Sequence, residues 1–144
     1  MQQKLTPAEI TIVASGAVVF LFSFFSYFGS GGYSVNGWDN FPLFTYGALI
    51  GLVMAGVILA VKLGNVSLPA QVLGFTWVQI HFVLAVFAAL DMIGIFIAGQ
   101  NGTSAKLGLI LGTLGSIGLV VGAVMLKQES EGRRPTGGSG PTGF

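Results

Sequence analysis

The chain has 144 residues, of which 53% are hydrophobic and 8% charged, with a formal net charge of +1. An ordinary soluble domain carries about a quarter charged residues, so this balance excludes a typical water-soluble fold and makes a bilayer the natural solvent for one domain of this length. The absence of cysteine removes disulfides, thiol catalysis and cysteine metal sites, and no basic cluster offers a nucleic-acid footprint.

Thr6-Pro7-Ala8-Glu9 is a helix start: Thr6 caps, Pro7 suits the first position, and Glu9 can reach back to the Thr6 N–H. The apolar body runs from Ile10 to Phe28, which predicts a first span over 8–28. It exceeds the ~7–15 apolar residues of a secretion signal and lacks an A-x-A site after it, so it reads as a retained span. Residues 29–41 (GSGGYSVNGWDNF) form a Gly-rich connector without Lys or Arg. In it Tyr33, Trp38 and Phe41 read as an aromatic anchor at the interface, and Asp39 or Asn40 as the helix-starting residue before Pro42. A lone Asp does not make a calcium site, which takes ~6–8 oxygens.

The second span is predicted over 42–62, with Gly47, Gly51 and Ala55 forming a small-residue ridge at four-residue spacing. The connector 63–75 contains Gly64, Asn65, Ser67 and Pro69, and its part from Leu68 to Phe75 is expected to lie along the membrane surface. Thr76-Trp77-Val78-Gln79 repeats the capping-box pattern, placing the third span at 77–98 with Trp77 at the interface. Gln100-Asn101-Gly102 signals a turn. The fourth span, 105–126, carries Gly108, Gly112, Gly115, Gly118 and Gly122 within one third of its circumference, taking ~100° per residue. Such a face serves helix packing in lipid. Residues 128–144 are polar and of low complexity and are expected to be disordered.

Each span holds about 20 residues, enough at ~1.5 Å per residue for the ~30 Å hydrocarbon core. Lys4, Lys62, Lys127, Arg133 and Arg134 fall on one side and Lys106 on the other, which predicts cytoplasmic termini. The expected fold is therefore all-α: a polytopic four-transmembrane-helix bundle with N and C termini cytoplasmic.

Two ionisable residues stand inside the third span. Asp91 lies about 5 Å outward of the midplane, where an acid is expensive and must face protein or water. Its bland reading is a carboxyl group that fixes helix packing, and this reading is favoured over a functional one. His81, the only histidine, shares a stripe with Leu84, Ala88 and Asp91 but stands about 15 Å from Asp91 along the axis, too far for a dyad. Near a helix end it reads as a hydrogen-bonded residue before it reads as a relay. Ser23, Tyr27, Tyr46 and Thr113 lie near the depth of Asp91, and Tyr46 is the expected partner. Thr11 and Ser15 lie near the depth of His81. Lys106 should snorkel outward. An antiparallel pairing of the third and fourth spans puts Gly112 level with Asp91 and Gly122 level with His81. The inventory lacks paired carboxylates, a nucleophile elbow and any phosphate loop in strand context, so no enzyme, cofactor or metal is expected.

The pieces TPAEITIVASGAVVF, WDNFPLFTYGALIGLVMAG, VSLPAQVLGFTWVQIH and GLVVGAVMLKQES resemble a family of uncharacterised four-span membrane proteins of actinobacteria, including mycobacteria. The similarity covers about residues 5–130 and implies a bacterial plasma-membrane location without transferring an active site. Two functions are weighed. One is a non-enzymatic structural or accessory subunit, partnered by the lipid bilayer and by its own copies or other membrane proteins. The other is a small oligomeric channel or proton-coupled transporter using Asp91 with His81. A third, handling of lipid or envelope precursors, has only the outer-loop aromatics behind it.

Overall fold

Both capping boxes start helices. Thr6 N–H donates to the Glu9 carboxylate at 2.8 Å while Thr6 Oγ1 accepts from Glu9 N at 3.3 Å, and Thr76 and Gln79 repeat the exchange at 2.9 and 3.3 Å. The computed structural model describes residues 4–39, 42–99 and 103–133. The readings of Asn40, Phe41, the Gln100-Asn101-Gly102 turn, Arg134 and the tail beyond it lie outside the described residues.

The chain is mainly helical, with helices α1 (Pro7–Phe22), α2 (Tyr46–Lys62), α3 (Trp77–Ala98) and α4 (Leu107–Gly132). Two of these, α3 and α4, are long and apolar enough to cross a membrane. Short strands accompany them: β1 (Ser26–Ser30), β2 (Tyr33–Asn36), β3 (Gln71–Val72), β4 (Phe75–Thr76) and β5 (Ser104–Ala105). The mainly helical content agrees with the all-α expectation, and the short strands lie in the connectors between helices. The helix α1 packs on α2 and α4, and α3 packs on the same two, so the four form a square of neighbours. Lys62 at the end of α2 pairs with Glu9 at the start of α1 at 3.3 Å. Glu129 near the end of α4 accepts from Ala8 N at 3.1 Å. Successive helices therefore run antiparallel, with a terminal end at Glu9, Lys62 and Glu129 and a hairpin end at β1 and β2.

The boundaries differ from the sequence reading in three places. The first helix stops at Phe22 instead of Phe28, because the chain turns into an antiparallel hairpin with Ser30 opposite Tyr33. Its two-residue turn is Gly31-Gly32 at φ 53° and 89°, the conformation that favours Gly-Gly in tight hairpins. A register shift between Ser26 and Phe28 turns both Tyr27 and Phe28 inward. Strand β5 adds to β1, giving a three-stranded sheet in the order β2-β1-β5.

The second helix starts at Tyr46, not at Pro42. Thr45 Oγ1 donates to Gly37 O at 2.7 Å, and Asp39 accepts from Asn36 N at 2.7 Å instead of starting a helix. The fourth helix runs to Gly132, so residues 128–132, expected in the disordered tail, are helical. The Glu129 bond to the open first turn of α1 holds this last stretch in place.

The small-residue faces are used inside the bundle. A Cβ on Gly16 would come 2.5 Å from Gly51 O, and one on Gly51 would come 3.0 Å from Gly16 O, so α1 and α2 touch backbone to backbone there. On α4, Gly115, Gly118 and Gly122 lie against Val19, Ser15 and Ile12 of α1, and Gly108 lies against the carbonyls of Phe22, Phe25 and Ser26. Gly122, expected level with His81, faces Ile12 and Thr11 of α1. Gly112 meets Met92, the neighbour of Asp91 on α3.

Residues 71–76 form a second hairpin with Leu73-Gly74 at its tip, at φ 52° and 84°. Leu73 is 94% exposed. An L-residue in the left-handed region costs about 1–2 kcal/mol, and nothing packed on Leu73 offsets that cost. Replacing Leu73 by Asn, which tolerates this conformation and makes the favoured Asn-Gly turn, is expected to stabilise the detergent-purified protein by about 1 kcal/mol. A thermal melt checks this, and a lower melting temperature for the variant refutes it.

Candidate functional site

The N-terminus of α2 has no local cap. The Thr45 hydroxyl is spent on Gly37, and the first turn contains no acid. A helix start leaves several N–H groups in need of acceptors. One of them, Gly47 N–H, donates to Asp91 Oδ2 of α3 at 3.2 Å. The contact also brings a carboxylate to the positive end of the α2 dipole. Asp91 thus does across the α2–α3 seam what a cap side chain does within one helix. Gly47 makes the approach possible, since a Cβ there would stand 2.9 Å from Met92 Sδ and 3.5 Å from Asp91 Oδ2.

Tyr46 lines the same surface hollow as Asp91, together with Ile50, Phe87 and Leu90. Among the described residues no hydrogen bond joins the two, and the Tyr46 side chain is exposed. The expectation of a Tyr46–Asp91 pair is corrected: the partner is the next backbone N–H, because the first turn of a helix points its amides at an acceptor while its side chains splay outward. The other polar groups near that depth have their own partners. Ser23 Oγ donates to Phe20 O and accepts from Trp38 Nε1 at 2.9 Å. Thr113 donates to Leu109 O at 2.7 Å, and Tyr27 points its hydroxyl at Met92 Sδ, 4.0 Å away. The indole of Trp38 also stacks on Phe24, with centroids 5.4 Å apart, so this part of the connector packs as a lid on the hairpin end.

His81 is buried at the terminal end. Its Nδ1 lies 2.8 Å from Trp77 O. A carbonyl only accepts, so Nδ1 carries a hydrogen, and in the neutral ring Nε2 keeps a bare lone pair. That atom has no partner among the described residues. Between His81 and Asp91 the inward face of α3 is Ala85 and Ala88, packed with Ile12, Met54 and Leu119 in one apolar cluster. The two ionisable groups share a helix, and among the described residues no polar path joins them through the interior of a single copy.

No protein-family model, curated protein or solved structure matches the chain. The functional reading therefore rests on its geometry. Sequence reasoning missed three contacts. Gly16 was hidden in a run of small and β-branched residues, although the Ser15-Gly16-Ala17 triplet is a usable signal of close packing. Glu129 was assigned to the tail, and the Glu9–Lys62 pair needed the antiparallel arrangement of α1 and α2 to become visible.

Proposed function

We propose that the chain is a four-span integral protein of a bacterial plasma membrane, with both termini cytoplasmic. In this reading it is a non-enzymatic structural or accessory subunit that docks its own copy or another membrane protein along the α2–α3 seam. Support for the membrane reading comes from burial. Only 33% of the most apolar window of α3 and 39% of that of α4 is buried, unlike the core helix of a soluble protein. Leu52, Val53, Phe87, Leu90, Leu114 and Val121 stand exposed on three of the helices. Helices apolar all round, yet uncovered, call for a lipid solvent. The shorter α1 and α2 are extended at the hairpin end by Phe24, Phe25, Leu43 and Phe44. Lys4, Lys62, Lys127 and Arg133 against Lys106 support cytoplasmic termini.

The observation that carries the docking reading is Asp91. One of its oxygens caps α2; the other has no hydrogen bond among the described residues, on a half-buried side chain at an outward seam. A carboxyl group turned toward lipid is expensive, and a covering partner removes that cost. The glycine faces contribute less, since they are occupied within the bundle. Because the chain lacks cysteine, single cysteines test the reading directly. Leu90→Cys on the seam is expected to give disulfide-linked dimers or partner adducts in native membranes, and Leu114→Cys on α4 is expected to give none. An impermeant thiol reagent should label Tyr33→Cys but not Leu73→Cys in intact cells. A monomer in mild detergent with no seam adduct in membranes sinks the docking reading. Labelling from the opposite side sinks the topology.

A transport reading draws on the same Asp91. With the interior between Asp91 and His81 packed by apolar side chains, its path has to run between copies. Liposomes containing the protein then carry protons or ions, and Asp91→Asn abolishes the flux.

A further inference from the structure

Near the terminal end a cleft of about 330 Å³ opens between α2, α3 and the connector 63–69. That volume falls in the ~300–1,000 Å³ range of small-molecule sites. Its walls are aliphatic: Val57 and Val61 from α2, Val66 and Leu68 from the connector, Val78 from α3 and Leu126 from α4. Its polar groups are few. Glu9 and Lys62 neutralise each other at 3.3 Å. The Trp77 indole N–H is already given to Pro69 O at 2.8 Å, leaving the ring as wall. What remains is the exposed Ser67 hydroxyl on the connector and His81, which lines the cleft, is 4% exposed, and has no partner for Nε2 among the described residues. A buried acceptor left without a donor costs about 1–3 kcal/mol, and polar groups that persist in this state ask for an explanation.

We propose that this cleft binds an uncharged amphiphile, an apolar chain ending in a hydroxyl-bearing head, with the hydroxyl donating to His81 Nε2 after the side chains that cover that atom shift aside. The walls specify the chain. The tautomer specifies the head: Nδ1 is held protonated by Trp77 O, so Nε2 accepts and requires an O–H or N–H donor. The Glu9–Lys62 pair specifies the absence of charge, because it leaves the cleft without a net charge to balance an anion or a cation. Monoacylglycerols and long-chain alcohols satisfy all three conditions. A fatty-acid anion lacks a donor for Nε2. This site stands apart from the Asp91 seam and depends on neither docking nor transport.

The test uses the full chain purified in a maltoside detergent and a 1-monoacylglycerol carrying a diazirine in its acyl chain. Irradiation is expected to place the adduct between Val57 and Leu68, and unlabelled monoacylglycerol to compete it away. Stearate and free glycerol should compete poorly, the first lacking the donor and the second the chain. His81→Phe keeps the ring volume and removes the acceptor. It is expected to lower labelling at sub-saturating probe about tenfold, the effect of one lost buried hydrogen bond. Val61→Phe fills the cleft with His81 intact and should abolish labelling, which keeps the proposal decidable if the His81 variant misfolds in a thermal melt. Adducts spread over the exposed faces of α3 and α4, competition by stearate as strong as by monoacylglycerol, or labelling unchanged in the folded variants overturns the proposal.

Discussion

Replacing Asp91 by Leu is expected to destabilise the detergent-purified protein by about 1–3 kcal/mol, while Asp91→Asn costs well under half of that. The asymmetry follows from what the carboxylate does. It accepts the Gly47 N–H at an α2 terminus that has no other cap. An Asn side chain of the same shape presents a carbonyl oxygen to that donor, losing only the attraction between a negative charge and the helix dipole, typically ~0.3–1 kcal/mol. Leu presents nothing, and the amide is left orphaned beside Met92. Thermal melts of the two variants with the wild type read this directly. Amide exchange at Gly47 gives a second reading, fast in the Leu variant and slow in the Asn variant. If the Asn variant is as damaged as the Leu variant, the negative charge itself is what the position requires, and the capping account fails.

Gly16→Ala is expected to cost about 1–3 kcal/mol or more, the usual penalty for overpacking a filled contact. Gly56→Ala on the neighbouring helix should be neutral or slightly stabilising. At position 16 the new methyl meets the carbonyl oxygen of Gly51 at 2.5 Å and Ala55 Cβ at 3.1 Å. The first of these is backbone, which cannot swing aside, so α1 and α2 must separate and every contact along their crossing loosens. At position 56 nothing lies within 4 Å, and Ala exceeds Gly in helix propensity by ~0.8–1.0 kcal/mol. Both substitutions add the same atoms at the same kind of site, a helical glycine in an apolar chain. Only their surroundings differ. Melting temperature and resistance to proteolysis in detergent measure the contrast, and a Gly16 variant as stable as the wild type removes the close α1–α2 crossing from this account.

The candidate site was legible in part. Asp91 announces itself as the one acid inside an apolar stretch, and the preference for a packing role over a functional one rests on burial, which suits a hydrogen-bonded carboxyl group. Its partner was not legible. A Tyr at the right depth looked the better acceptor-seeker, but helix N–H donors carry no side-chain signature, and the missing cap on α2 becomes evident only once Thr45 is seen to bond Gly37. The same limit hid the surroundings of His81. The tautomer depends on the Trp77 carbonyl four residues back, and the cleft depends on where the connector 63–69 folds.

By itself the sequence determined the parts whose causes are local. The two capping boxes start α1 and α3 because Thr, Glu and Gln side chains reach amides only three residues away. The apolar runs mark the bodies of the helices, two of them long and apolar enough to cross a membrane, because composition is independent of fold. Only the tertiary structure decided the rest. Ser26 to Asn36 leaves helical geometry because strand pairing with β5, 75 residues on in sequence between Gly29 and Ser104, and an inward turn of Tyr27 and Phe28 outweigh the apolar continuity with α1. Helix α4 outruns its apolar stretch because Glu129 finds an open helix start on α1. In each case the deciding term is a hydrogen bond or a packing contact between residues far apart in the chain, and such terms are not written in any local window.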